Sequence, residues 1–172
     1  MTDERAATWI KAGFAELAKT GVEGVRVEVL AKNLGVTKGG FYRRFRDRAA
    51  LLSGMLAEWS TARIAAIEQQ ASLDGETARD RLQSLIRLYS ERMNTEAIAI
   101  ELAIRQWART DEAAALAAAS VDAARLKNVG QLYRTTGLSA EEADAKAFLF
   151  YRSESTRLNS SHESVSRMPS SA

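Results

Sequence analysis

Positive charge and aromatic rings are concentrated in one short stretch of the sequence, "VTKGGFYRRFRDRAALL" at residues 36–52. Residues 38–48 hold five basic side chains and a single acidic one, Asp47, although the whole chain has a net charge of only +2. Two adjacent glycines precede the aromatic residues, so a backbone placed there could approach a phosphate closely. A local basic patch of this kind is typical of surfaces that bind a polyanion.

A helical projection separates the side chains of this stretch into two faces. Phe41 and Phe45 are four residues apart and share the face that we expect to be buried. Arg43 points away from them, with Tyr42 and Arg44 on its two flanks. On a duplex, Arg43 could reach a guanine edge in the major groove, and Tyr42 could donate its hydroxyl to a phosphate. The predicted phosphate clamps are Lys38, Arg44 and Arg48.

Four helices must position these side chains, and apolar residues at helical spacing predict all of them. The first covers about 3–20, the second about 26–33, the third about 38–45 and the fourth about 47–70. The second and third are joined by a short turn that contains Gly35, which is typical of a helix-turn-helix. The head of the chain is therefore predicted to be a three-helix helix-turn-helix domain, with the fourth helix leading out of it.

Residues 5–52 resemble the DNA-binding head of TetR/AcrR-type transcriptional regulators. The family's "GV[ST]KG" turn, aromatic pair and charged turn before "LL" are present from Gly35 to Leu52. The second helix of the family usually opens with Thr-Thr, whereas this chain has Arg26 there, which we expect to bind phosphate through its own charge. With that residue, the resemblance implies these DNA contacts: Arg26, Thr37, Lys38, Gly39, Tyr42, Arg43, Arg44 and Arg48.

The rest of the chain is predicted to be helical too, because no window shows the alternation of a strand. The expected helices are about 77–94, 95–109, 110–135 and 139–151. The fold class is therefore all-α, with the head followed by a C-terminal antiparallel helical bundle. Side chains that favour N-terminal caps precede the helices. They are Thr37, Asp47, Thr77 with Asp80, Thr110 with Asp111 and Glu112, and Ser139 with Glu142.

The composition changes at about residue 153. The last twenty residues contain eight Ser, together with the only His and the only Pro of the chain. Such a segment buries little apolar surface and is expected to be disordered. We interpret 153–172 as a non-native tail, with a native disordered tail as the alternative. The predicted domains are 1–48 for DNA binding, 49–152 for ligand binding and dimerisation, and the tail.

The resemblance also implies a homodimer and a small-molecule effector that changes the separation of two heads. The family pairs two long C-terminal helices, but this sequence offers only 139–151, so the body is expected to be incomplete and dimerisation impaired. Candidate pocket residues are apolar and face the bundle, and core packing is the alternative reading for all of them. They are Leu85, Tyr89, Met93, Ile104 and Trp107.

The residue types and motifs of this sequence do not indicate an enzyme. The chain has no Cys, its lone His162 lies in the tail, and no phosphate-binding glycine motif occurs. We expect no cofactor, no metal and no membrane span, and a location with the DNA in the bacterial cytoplasm. The predicted function is a sequence-specific transcriptional regulator, a repressor that binds a palindromic operator in double-stranded DNA and is released by a small molecule. The alternative is a helical ligand-binding or interaction module with a weak or non-specific DNA-binding head.

Overall fold

The computed structural model describes residues 4–71, 77, 80 and 95–152, and within these residues it contains helices and no strand. The predicted all-α fold class is confirmed. The elements in chain order are α1 (Glu4–Thr20), a 3-10 turn (Val22–Gly24), α2 (Val27–Leu34), α3 (Lys38–Tyr42), α4 (Arg48–Ala71), α5 (Thr95–Trp107), α6 (Glu112–Arg134) and α7 (140–152). The predicted helix at 77–94 and the predicted tail at 153–172 lie outside the described residues, apart from Thr77 and Asp80.

The described residues form two compact units. One contains the residues up to Arg63 together with those from 95 to Val121, and the other contains those from Ile64 to 80 and from Asp122 to 152. Compactness is a different criterion from independent folding. The predicted boundary between residues 48 and 49 therefore stays a prediction.

The core of the first unit is built on the apolar stripe of α1. Trp9, Ile10 and Leu17 are buried, as their place on one face of a helix predicts, since Ile10 and Leu17 are seven residues, or about two turns, apart. Leu30 of α2 and Phe41 of α3 are fully buried as well. The ring of Phe41 packs edge-on against that of Trp9, with 5.3 Å between centroids, so α3 is anchored to α1 with one face inward.

Gly35 makes the tight connection between α2 and α3. Its backbone is left-handed, with φ of 66° and ψ of 29°, a conformation that side chains other than glycine rarely adopt. Its N–H donates to carbonyls of the last turn of α2, at Ala31 and Lys32, which closes that helix. This turn sets the direction in which α3 leaves α2.

Local capping signals in the sequence identified two helix starts correctly, and a third predicted pair of capping residues makes its hydrogen bonds where the helix expected after it lies outside the described residues. The Ala50 N–H donates to Asp47 Oδ1 at 2.8 Å, where α4 begins. Thr77 and Asp80 exchange side-chain and backbone hydrogen bonds of 3.1 and 3.2 Å. Ser139 and Glu142 form the same reciprocal capping box before α7, with bonds of 3.0 and 3.3 Å.

Two other capping predictions need correction. Thr37 stands at the N-cap of α3, but its hydroxyl makes no capping hydrogen bond. At the start of α6, Asp111 alone caps, since its Oδ1 accepts from the Ala114 N–H at 2.9 Å. The Thr110 hydroxyl instead donates backward to the Trp107 carbonyl at 3.3 Å, which satisfies the end of α5.

Capping makes the stability of the head depend on the charge of Asp47. Hydrogen bonding by the Ala50 N–H, followed by that of Arg46, lowers the pKa of Asp47 below its ordinary value of 3.8. A lowered folded-state pKa contributes stability that is present above the unfolded pKa and is lost as pH falls through the folded pKa. We expect the wild type to exceed Asp47→Asn in thermal midpoint at neutral pH, with the difference shrinking below pH 3.8. Asn keeps the capping oxygen, so a difference that is constant with pH would contradict this account.

The second unit has its own packing around α6 and α7. Val129 and Ala147 are buried together, with Leu132, Tyr133 and Phe150 packed against them. Arg134 Nη2 donates to Asp144 Oδ1 at 2.6 Å and joins the two helices. Asn128 Nδ2 donates to the Ile67 carbonyl of α4, so a buried amide also ties α6 to the end of α4.

Candidate nucleic-acid interface

The start of α3 presents backbone to solvent with almost no side chain in front of it. Thr37 is extended and exposed, and its carbonyl accepts from the Gly40 N–H at 3.0 Å. A Cβ built at Gly40 would meet no atom within 4 Å, and one built at Gly39 would meet only the Thr37 Oγ1, at 3.7 Å. The glycines are therefore not required by packing within the head. They leave a bare first turn over which a phosphate could lie close to the backbone.

A cluster of rings lies beneath this turn and fixes its orientation. Phe41 is fully buried, and its ring is edge-on to Trp9 at 5.3 Å and stacked with Phe45 at 5.4 Å between centroids. Tyr42 packs its ring against Phe41 at 5.2 Å and remains 58% exposed. The rings thus hold one side of α3 in the core and leave the Tyr42 side open to a partner.

The third helix ends earlier than the sequence predicted. It stops at Tyr42, and Arg43 and Arg44 lie in the turn that follows, although helix-like hydrogen bonding continues as the Phe45 N–H donates to the Phe41 carbonyl at 3.0 Å. Two glycines weaken the helix at its start. Its end must also leave room for the Asp47 cap of α4. Arg43 and Arg44 are exposed, as predicted, but on a turn.

Two other residues that are predicted to contact DNA lie at the starts of α2 and α3. Arg26 is exposed at the N-cap of α2, with an extended backbone and no side-chain capping bond. Lys38 is exposed in the first turn of α3, but its Nζ donates to Glu28 Oε1 of α2 at 2.7 Å. Sequence reasoning missed Glu28, because the pair joins residues ten positions apart on two different helices.

Arg48 has partners within the protein. Its Nε donates to the Val25 carbonyl at 2.6 Å and its Nη2 to the Val22 carbonyl at 2.5 Å. The half-buried guanidinium therefore ties the first residue of α4 to the segment between α1 and α2. Its predicted contact with phosphate stays a prediction, while its contact with these two carbonyls is a structural role that the sequence did not indicate.

A variant of Arg48 separates these two roles. Arg48→Met keeps much of the aliphatic stem but leaves two carbonyls without their charged donor, which should cost about 2–4 kcal/mol of unfolding free energy. We expect chemical denaturation to show this loss, with the salt dependence of DNA binding unchanged. Unchanged stability together with a shallower salt dependence would show that Arg48 holds phosphate instead.

The predicted effector residues lie in different settings. Leu85, Tyr89 and Met93 are outside the described residues. Ile104 is fully buried in α5 and Trp107 is buried at its end, so both pack in the core of the first unit. Ligand contact by this set stays a prediction.

A shallow apolar cleft that sequence reasoning did not anticipate lies in the same unit. It has a volume of about 150 Å³ and is lined by α1, α4 and α5 through Phe14, Glu58, Trp59, Ala62, Arg63, Ala97 and Ile100. Beside it, buried Glu101 accepts from Arg63 Nη2 at 2.9 Å and from Arg105 Nη2 at 3.1 Å, so an ionic cluster joins α4 to α5.

In residues 4–71 and 95–152, no group of three or more His, Cys, Asp or Glu side chains could hold a metal ion. Within the same part of the chain, no helix is both long and apolar enough to cross a membrane.

Comparison with known proteins assigns the head of the chain to a protein family. Residues 10–55 match the model of the family described as bacterial regulatory proteins, tetR family. The head belongs to the TetR family. The match contains the whole helix-turn-helix, including the bare turn, the rings of Phe41 and Phe45 and the exposed basic residues described above. No protein of curated function matches the sequence significantly.

Beyond the TetR-family head, the rest of the chain is also similar to solved structures of regulatory proteins. Regulatory protein TetR from Rhodobacter sphaeroides is 26% identical, with a TM-score of 0.71 over 94% of this chain and 90% of that one. A transcriptional regulator from Rhodococcus sp. Rha1 is 18% identical, with a TM-score of 0.75 over 95% and 87%. The reduced form of E. coli NemR is 16% identical, with a TM-score of 0.76 over 94% and 89%. The chain thus has the fold of these regulatory proteins.

Proposed function

We propose that this protein is a sequence-specific transcriptional repressor that binds a palindromic operator as a homodimer and leaves it when a small molecule binds. The observation that carries the proposal is the exposed surface above the buried rings of α3. We call this surface the α3 face and define it by Thr37, Lys38, Gly39, Tyr42, Arg43 and Arg44. It combines a bare backbone, a phenol and three positive charges within eight residues.

The α3 face offers the two kinds of contact that a DNA reader needs. Lys38, Arg44 and the N-terminal backbone of α3 are suited to phosphate, which positions the protein on a duplex. Arg43 carries the planar donor pair that matches the O6 and N7 atoms of guanine. Arg26, exposed at the start of α2, adds a further positive charge to the head. Repression follows if the protein on its operator blocks a promoter.

Dimerisation is supported by apolar surface on α7. Phe148 is 55% exposed and Leu149 is 64% exposed, so this helix offers apolar side chains that a partner could bury. A symmetric pair would place two α3 faces on half-sites about one helical turn of DNA apart. The predicted weakness of this dimer is measurable as a monomer fraction in sedimentation.

The experiment that tests this function selects binding sequences from a pool of random duplexes. The proposal expects an inverted repeat whose half-sites are centred about 10 base pairs, or a multiple of this, apart. Recovery of duplexes without any common sequence would reject specific regulation and favour a non-specific DNA-binding head. Release by an effector is then tested by screening small molecules for loss of the selected complex.

A further inference from the structure

The contact between α2 and α3 brings a carboxylate against one of the cations of the α3 face. Lys38 Nζ lies 2.7 Å from Glu28 Oε1, and the two side chains are 55% and 61% exposed. The hydrogen bond from Lys38 is the main cause that lowers the pKa of Glu28, so the carboxylate is ionised at neutral pH. In the free protein, the Lys38 ammonium thus already has an anionic partner.

A phosphate of DNA would have to replace that partner. Lys38 has three donors, but an ion pair at 2.7 Å directs one of them to Glu28 and brings a negative charge to the edge of the α3 face. Any phosphate that approaches Lys38 also approaches the Glu28 carboxylate, and like charges this close repel each other. The pair is solvent-exposed, so the exchange is energetically accessible.

We propose that Glu28 is an affinity-setting residue of the DNA-binding surface, because it competes with duplex phosphate for Lys38. This inference rests on the proposed function. Glu28 lowers the affinity for every duplex, since contacts with phosphate carry no sequence information. It therefore keeps the head from binding tightly through charge alone, and leaves a larger share of the binding free energy to contacts with bases.

Glu28→Gln tests the proposal, because it keeps the shape of the side chain and removes its charge. We expect the variant to bind a selected duplex and a random duplex of equal length about 3- to 10-fold more tightly per head. The dependence of log K on log salt should become steeper by up to about 0.9 per head, because Lys38 then gives its full charge to phosphate. Unchanged affinity and slope would overturn the proposal.

Two control variants separate competition for Lys38 from a simple change in net charge. Glu23→Gln removes the same charge from the exposed 3-10 turn of the head and should raise affinity less than twofold. An equal gain in both variants would overturn the proposal. In a Lys38→Gln background, the gain from Glu28→Gln should fall by more than half, because no ammonium remains to compete for, and an undiminished gain would overturn the proposal by showing that Glu28 acts through repulsion of DNA alone.

Failure of this inference is distinguishable from failure of the proposed function. If the wild type selects no common sequence, the proposed regulator is rejected whatever Glu28 does. If the wild type selects an operator and Glu28→Gln binds it with wild-type affinity, only the competition by Glu28 is rejected. Far-ultraviolet circular dichroism checks that each variant remains helical, as expected for changes at exposed side chains.

Discussion

Phe41→Ala is expected to destabilise the head by about 3–5 kcal/mol, because it removes a fully buried ring from a close-packed cluster. The lost contacts include those with Trp9 at 5.3 Å and Phe45 at 5.4 Å. A domain is usually stable by only 5–15 kcal/mol, so this one change removes a large part of the total. Urea denaturation followed by tryptophan fluorescence measures the loss, since Trp9, Trp59 and Trp107 are all buried in the first unit.

The matched control is an exposed apolar residue of the same unit. Leu116 of α6 is 66% exposed, and Leu116→Ala should change the free energy of unfolding by less than about 0.5 kcal/mol. A loss below about 1 kcal/mol for Phe41→Ala would mean that the ring cluster does not hold α3 in place. The α3 face would then have no rigid support, and the account of DNA reading from it would fail.

The double variant Tyr42→Ala with Arg43→Ala is expected to weaken binding to the selected duplex by at least about a hundredfold. A good bidentate contact between Arg and a base contributes about 1–3 kcal/mol, and a symmetric dimer loses it twice. The Tyr42 hydroxyl adds one hydrogen bond per head, and its ring adds contact area. Because both side chains are exposed, their removal should leave the stability of the head within about 1 kcal/mol of the wild type. Fluorescence anisotropy with labelled duplex measures the affinity.

Two single variants assign that loss to particular groups. Arg46 lies in the same basic stretch, is highly exposed and pairs with Asp47 at 2.9 Å, and it is outside the α3 face. Arg46→Ala should therefore lower affinity by less than about threefold, against tenfold or more for Arg43→Ala. Tyr42→Phe removes only the hydroxyl. Equal losses for Arg43→Ala and Arg46→Ala would show that the stretch acts through net charge alone.

Local signals in the sequence predicted the helices well. Helix α1 begins and ends within one residue of the range expected from the spacing of Trp9, Ile10 and Leu17. The reciprocal cap at Ser139 and Glu142 was readable because its partners are three residues apart. Such features depend on a single turn of chain, so a sequence specifies them without knowledge of the rest of the fold.

Features that depend on residues far apart in the sequence could not be predicted from such local signals. Arg48 was assigned to phosphate because it is basic and follows the aromatic pair. In the fold, two carbonyls 23 and 26 residues earlier in the chain accept from its guanidinium. The cap at Thr37 was expected from residue type, yet its hydroxyl makes no capping bond. Charge and residue type indicate which groups can interact, and only the packing of α1, α2 and α4 decides which of them meet.

The measurement that tests the central claim most directly is the ratio of affinities for the selected duplex and for a scrambled duplex of equal length. It is made on the wild type and on the Tyr42→Ala, Arg43→Ala variant at one salt concentration. We predict a ratio of at least about 10³ for the wild type, as specific DNA readers show, and a ratio about a hundredfold lower for the variant. An unchanged ratio in the variant would show that the α3 face does not read DNA sequence.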